Sequence, residues 1–359
     1  MADDVHGTGG QTYDHKKRAL PPELGVFTAL IVIIVIFEAL GALFVGQSLL
    51  FDTRGRFDGP LGLFNVARLK IMILQVSIIG IIAIGSTQVI ISGGIDLSPG
   101  SVVGVTAMVA MSFAQVAEVN GLANPKPVFG AWAHDIPALV PVLIGLVIGL
   151  AAGVVNGALI AYTRIPPFIA TLGMMVFARG AAKWWTKGEP VSFPTDSYAF
   201  IGSGMIPVVI FVALAILFHF LLKNTVYGKH TYAIGSNEDA ARMSGINVQR
   251  HKLMVYAIGG VLAATAAIVL TSKSLTAQSG MGIMYELDAI AMTVIGGVSL
   301  SGGRGSVIGT VLGALIFGVI ISGFTFLRLD AFYQEMVKGF IIISAVVLDQ
   351  WRQQRAARA

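Results

Sequence analysis

The chain has 359 residues, 55% of them hydrophobic and only 12% charged, with a mean hydropathy of +0.80. A soluble domain carries about 25% charge, so too few charges are present to coat a globule of this size; a soluble enzyme, a secreted disulfide scaffold and a disordered chain are excluded. Zero cysteines removes thiol catalysis and thiolate metal sites, and a net charge of +5 fits loops enriched in Lys and Arg.

The apolar stretches run unbroken for about 20 residues, the length of a helical crossing. They do not alternate as the strands of a β-barrel do. The fold class is therefore an all-α polytopic membrane protein. In chain order, a polar tail (1–24) carries His15, Lys16, Lys17 and Arg18 and lacks the form of a cleavable signal peptide. About ten spans follow, at 25–46, 70–91, 98–117, 136–162, 166–185, 206–222, 251–272, 287–300, 305–324 and 331–348. The fifth contains Arg179 and Lys183 and the eighth is short, so these two are candidates for broken or interfacial helices. The chain divides into the tail 1–24, a membrane body 25–349 and a tail 350–359. An even number of spans puts both tails on one side. Their basic residues, with those of the loop 223–252, place that side in the cytoplasm, against the opposing evidence of Arg54, Arg56, Arg68 and Lys70 on the other.

Glycine organises the body. Gly145, Gly149, Gly153 and Gly157 stack on one face of the fourth span, and Gly305, Gly309 and Gly313 repeat the device in the ninth; such stripes let helix backbones approach closely. The run from Gly93 and Gly94 to Gly100 is echoed about 200 residues later from Gly296 and Gly297 to Gly305, a pattern of span, Gly-rich break and span. Gly302, Gly303 and Arg304 belong to the second break. Asp96, in the first, either pairs with Arg304 and latches the halves or caps the third span near Ser98.

The loop 223–252 is too long for a plain connector. Ser236 or Asn237 can cap a short helix there, with Glu238 and Asp239 in its first turn, Arg242 and Ser244 further on, and Gly245 as its stop. A capped helix outside the bilayer suggests a surface gripped by a partner.

Uncharged hydrogen-bonding groups at membrane depth are Gln75, Ser77, Thr87, Gln88, Asn156 and Thr171. Together with Asp96 they are the candidates for lining a pathway, though interhelical bonding is their commoner use. Glu38 is mid-span in the first helix and expected to be shielded or peripheral. Glu286 and Asp288 flank the eighth span as caps, and Glu335 and Lys338 read as an intrahelical pair. Trp184 and Trp185 read as interfacial anchors.

The residues Ile91 to Ser98, Pro167 to Gly173, 235–248, Tyr285 to Ala291 and Gly296 to Gly305, in that order, closely resemble the permease subunit of ribose-type bacterial sugar ABC importers, the group that includes ribose, xylose and inositol permeases. The resemblance covers 64–349 and leaves the first 60 residues or so without a motif. It implies a homodimer in the bacterial inner membrane, a cytoplasmic ATP-binding-cassette subunit docked on 235–248 and a periplasmic sugar-binding protein on the other face. Transport is then by alternating access, with ATP and Mg held by the cassette and no cofactor or nucleic acid bound by this chain. Leu300 to Arg304 look like the signature pentapeptide of a cassette, but no Gly-x-x-x-x-Gly-Lys-Ser/Thr accompanies them. We read them as a membrane break. The six histidines are dispersed and form no His-Glu-x-x-His, which argues against an enzyme. The alternative is an ion-coupled secondary transporter, which would need mid-span carboxylates; only Glu38 qualifies.

Overall fold

A computed structural model describes residues 22–51 and 64–358 of the chain. The basic cluster from His15 to Arg18, Arg54 and Arg56 lie outside the described residues. The helices are α1 (Pro22–Phe44), α2 (Val66–Ile91), α3 (Pro99–Ser112), α4 (Leu139–Thr163), α5 (Pro167–Thr186), α6 (Asp196–Ala199), α7 (Ile206–Asn224), α8 (Val226–Ser236), α9 (Glu238–Met243), α10 (Val248–Ser274), α11 (Tyr285–Ile295), α12 (Val307–Phe326) and α13 (Ala331–Arg358). Two small antiparallel pairs join loops. One is β1 (Glu118–Val119) with β2 (Leu122–Ala123), closed by Asn120 and Gly121 at positive φ; the other is β3 (Val191–Ser192) with β4 (Thr276–Ala277).

The all-α membrane architecture stands, with a helix at each of the ten expected places. Six of them, α2, α4, α7, α10, α12 and most of α1, are long and apolar enough to cross a bilayer. The third and eighth helices are shorter than expected, with 14 and 11 residues, ending at Ser112 and Ile295. The fifth is one unbroken helix, started by Pro167 and ended at Lys187 in the left-handed conformation. The last does not stop at 348 but continues to Arg358.

The starts and stops have local causes. Asn65 caps α2 by accepting from the Arg68 amide at 3.1 Å, Asn247 caps α10 through Arg250, and Ser306 caps α12 through Gly309. At the centre α10 and the second half of α2 are buried, with Ile81, Ile84, Ala263 and Ala266 fully enclosed. The predicted stripe of α4 packs against α10. Gly149 meets the Gly260 carbonyl and Ala264, Gly153 meets the Tyr256 carbonyl, and Gly157 meets Leu253, so an added Cβ would overlap backbone at each. In the ninth span Gly309 and Gly313 face Gly296, just past α11, and Met292 of α11 in the same way. Gly305 is outside the helix at φ +143°, so this stripe has two members, not three. Apolar side chains point outward along the periphery, among them Val35, Val176, Phe177, Val209 and Phe340, as a lipid-facing wall requires.

Candidate functional site

Two helix breaks and the consecutive helices α8 and α9 form the site. After α2 the backbone reverses at Gly93, φ +81°, whose amide reaches Ile90 O at 2.9 Å while that of Gly94 reaches Val89 O at 2.9 Å. This is a Schellman closure, which needs the left-handed conformation glycine adopts freely. The chain then runs back without helical hydrogen bonding into the protein interior until Pro99 starts α3. Non-helical backbone at that depth survives only inside protein or beside a cavity.

Polar side chains surround this stretch. Asp96 accepts from the Ser98 amide at 2.8 Å and the Ser98 hydroxyl at 2.7 Å, and Asn156 Nδ2 donates to the same hydroxyl at 2.9 Å. Tyr256 donates to Ile95 O at 3.4 Å, and Thr171 Oγ1 stands 3.5 Å from that carbonyl. Asn156 Oδ1 is buried with no partner among the described residues. Asp96, Asn156 and Thr171, expected at membrane depth, are thus brought together on one break. Asp96 closes a turn on the Ser98 amide and hydroxyl just ahead of α3, whose own first amides receive no side-chain cap. Arg304 is exposed and no Asp96–Arg304 ion pair exists among the described residues, so the side-chain latch is corrected.

The second break repeats the first with a shifted register. Gly297, φ +88°, donates to Val294 O at 2.9 Å and Val298 to Thr293 O at 3.0 Å. Gly297, rather than Gly296, is therefore the counterpart of Gly93. The loop beyond it turns through Gly302 and Gly303, at φ +82° and +70°.

The halves are joined by backbone. Gly303 donates its amide to Ile91 O at 2.8 Å. Between them sits the C-terminal end of α8. A Cβ on Gly235 would overlap the Ile91 carbonyl oxygen and crowd the Gly303 amide, and Gly302 faces both Gly235 and Gly93. Tyr232 of α8 donates to Gly305 O at 2.8 Å, and Tyr227 donates to Gln88 Oε1 at 2.6 Å. Burial and then the charge of Glu23 push the Tyr232 hydroxyl above its ordinary range, so it stays protonated as a donor. Glu23, at the start of α1, also accepts from Ser306 at 2.9 Å.

From Gly235 the chain passes straight into α9. Asn237 caps it, accepting from Ala240 N at 2.9 Å, with Glu238 and Asp239 in the first turn; Gly245, φ +84°, closes it as expected. Ser236 is the last residue of α8, not the cap, and packs on Gly303. Glu238 pairs with Arg242 at 2.9 Å and Lys252 at 2.6 Å. Ala241 turns inward, while Asp239, Arg242, Met243 and Ser244 face outward, Met243 being 89% exposed. An outward methionine on a short charged helix is a surface suited to a partner.

The remaining candidates lie apart. Thr87 bonds Thr310 at 2.6 Å across α2 and α12, Ser77 bonds back to Ile73 O, and Gln75 is on an exposed face. Glu38 is neither isolated nor merely shielded: it accepts from Ser48 Oγ at 2.6 Å, Leu49 N at 3.1 Å and Leu50 N at 2.7 Å. Lys338 pairs with Asp288 at 3.0 Å rather than with Glu335, so the intrahelical reading of the one and the capping reading of the other are both corrected. Glu286 is buried with Oε2 unpartnered among the described residues. Trp184 is exposed, whereas Trp185 donates to Ser112 Oγ at 3.0 Å. Sequence reasoning misses α8, with Tyr227 and Tyr232, and also Tyr256, and takes Gly235 only as the start of the 235–248 motif. Gly228 and Gly235 within eleven residues lower helix propensity, and only the pattern of small residues hinted at close packing. Among the described residues no three His, Asp or Glu side chains gather to hold a metal ion.

Comparison with known proteins gives a consistent picture. A family model described as branched-chain amino acid transport system, permease component, matches residues 69–346. The ribose import permease protein of Bacillus subtilis is 40% identical over 91% of this chain and 92% of its own length. That of Escherichia coli K12 is 38% identical over 81% and 88%. The galactose/methyl galactoside import permease protein of Escherichia coli K12 is 37% identical over 83% and 90%. No solved structure matches the chain.

Proposed function

The chain belongs to the family of branched-chain amino acid transport system permease components, and from that premise we propose that it is the membrane subunit of an importer for a monosaccharide or polyol, powered by a separate ATP-binding-cassette subunit. The sugar class rests on the ribose and galactose import permeases to which the chain is similar over most of its length. The observation that carries the coupling is the placement of α8 and α9: a short capped helix with an outward charged and methionine face, joined through Gly235 to the backbone of both helix breaks.

In this reading the cassette grips Asp239, Arg242, Met243 and Ser244. Closure of the cassettes on ATP and Mg displaces α9. Because Gly235 touches Ile91 and Gly303 without intervening side chains, the displacement reaches both breaks rather than being absorbed by rotamers. Asp96, Asn156 and Thr171 on the first break, with Thr87 and Gln88 in the preceding turns of α2, are the proposed contributors to a weakly binding pathway, whereas Gln75 lies on an exposed face away from them. A periplasmic sugar-binding protein delivers substrate to the face opposite α9, and a second copy of the chain completes the pore.

The proposed site of action is the bacterial inner membrane with both termini cytoplasmic. In support, the start of α1 bonds Ser306, next to the Gly305 carbonyl that Tyr232 of α8 holds. The proposed division is into tail 1–24, permease body 25–349, with coupling loop 223–252, and tail 350–359. An ion-coupled mechanism is not favoured: Glu38 is occupied with the turn at Ser48 to Leu50, and Asp288 of α11 is paired with Lys338. Uptake of labelled ribose, galactose, xylose and inositol by cells expressing the full transporter tests the substrate class. Uptake of at least one, abolished on deleting this chain, is expected; uptake of none refutes it.

A further inference from the structure

A crevice with two arginines in a largely apolar lining opens in a wall that faces lipid. On the end of the fold opposite α9, the first turns of α2 and the last turn of α12 frame a cavity of about 500 Å³. Arg68, Gln75, Ser322, Thr325 and Arg328 line it, together with Phe326. Ile71 on its edge is 66% exposed, so this side of α2 faces outward. Gln75 is exposed on the same side and stands about 14 Å along the helix from Val66, at 1.5 Å per residue. An amide at that depth is poorly solvated by acyl chains, so the crevice calls for a polar occupant.

The charges set the sign of that occupant. The Arg68 guanidinium lies 4.3 Å from the centre of the Phe326 ring, and Nη1 donates to Ser48 O at 3.3 Å and Leu49 O at 3.2 Å. Glu38, outside the lining, acts on Arg68 through its charge but makes no ion pair with it among the described residues, its oxygens accepting from Ser48, Leu49 and Leu50. Arg328 is exposed, at φ +58°, and is in no ion pair among the described residues. Asp330, two residues on, is also exposed but is not part of the lining. The lining therefore holds two guanidinium groups and no carboxylate. Guanidinium groups suit phosphate, which they can bind through paired N–H bonds.

We propose that this crevice binds the phosphate-bearing headgroup of an anionic phospholipid in the leaflet opposite α9. Arg68 and Arg328 hold the phosphate, Gln75, Ser322 and Thr325 serve its ester and glycerol oxygens, and an acyl chain follows the exposed apolar side of α2 past Ile71. The assignment rests on the membrane architecture alone and is independent of the transported substrate.

The test is native mass spectrometry of the full-length chain in detergent, titrated with phosphatidylglycerol or phosphatidylcholine. Phosphatidylglycerol adducts are expected to form preferentially. Arg328→Gln is expected to weaken them about five-fold, the effect of one basic group near a lipid phosphate, and Arg328→Lys to restore most of the loss. Inorganic phosphate at millimolar concentration is expected not to displace the lipid, since it lacks the acyl contact; displacement would assign the site to free phosphate and overturn the proposal. Equal retention of the two lipids, or no change in Arg328→Gln, would also overturn it. So would an equal loss in Lys229→Gln on α8, because it would mark a general surface charge effect. Arg328 is exposed, so its variants are expected to elute and unfold as the parent does.

Discussion

Gly303 donates its backbone amide to the carbonyl of Ile91 at 2.8 Å, which makes the two glycine-rich helix breaks one hydrogen-bonded unit although they are far apart in the chain. Gly235 is inserted beside that bond, and Asn237 begins the outward helix α9 two residues later. The outward face of α9 is therefore only a few residues of backbone from the interior of the bundle.

The first prediction concerns that insertion. Gly235→Ala has no room, since its Cβ would overlap the Ile91 carbonyl. It is expected to destabilise the chain by about 1–3 kcal/mol and to uncouple sugar-stimulated ATP hydrolysis. Gly173→Ala on α5, with nothing within 4 Å, is expected to be neutral or stabilising by up to about 1 kcal/mol. Thermal unfolding in detergent together with ATPase assays of the full complex separates the two; equal behaviour contradicts the junction.

The second concerns Lys338 and Asp288. Asp288 is nearly buried and Lys338 largely so, and their pair spans α11 and α13. Lys338→Met is expected to cost about 3–5 kcal/mol because it strands a buried carboxylate, while the double variant Lys338→Met with Asp288→Leu recovers most of that loss. A double-mutant cycle by chemical denaturation measures the coupling, and additive losses would show that the pair is not a unit.

Much of this arrangement was legible in the sequence, for reasons that are local. Asn237 and Gly245 bracket α9, and the Gly93 and Gly297 breaks announce themselves because left-handed closures need glycine. What was not legible depends on residues distant in sequence. Lys338 has Glu335 three positions away, yet it reaches Asp288, 50 positions back. Glu38 reads as a stray mid-span acid until the chain folds back and presents the amides of Leu49 and Leu50 to it. Asp96 and Arg304 sit in matching breaks, but the neighbouring Ser98 amide and hydroxyl satisfy Asp96 first. The break register was off by one because two consecutive glycines offered two equivalent alignments.

The third prediction follows from Asp96. Asp96→Asn keeps one acceptor for the Ser98 amide and is expected to retain most stability, whereas Asp96→Ala leaves buried Ser98 donors without their acceptor and is expected to cost about 1–3 kcal/mol. If the break forms the transport path, both lower the uptake rate. Unchanged uptake in Asp96→Asn would leave the residue with turn closure alone.

A fourth prediction addresses α9. Glu238 is partly exposed and shared between Arg242 and Lys252. The charge swap Glu238→Lys with Arg242→Glu preserves an i,i+4 pair but puts a base at the helix start, against the dipole, and is expected to cost less than about 1 kcal/mol. It is nevertheless expected to abolish co-purification of the cassette subunit, because the outward charge pattern is inverted. Undiminished co-purification would remove α9 as the docking surface.

The central claim is that the chain is a permease body with no energy source of its own. Reconstitution in liposomes, with and without the cassette subunit and the sugar-binding protein, tests it most directly. Labelled sugar is expected to accumulate only with all components and ATP, and proton or sodium gradients imposed on vesicles holding this chain alone are expected to drive none. Accumulation by this chain alone on either gradient would contradict it.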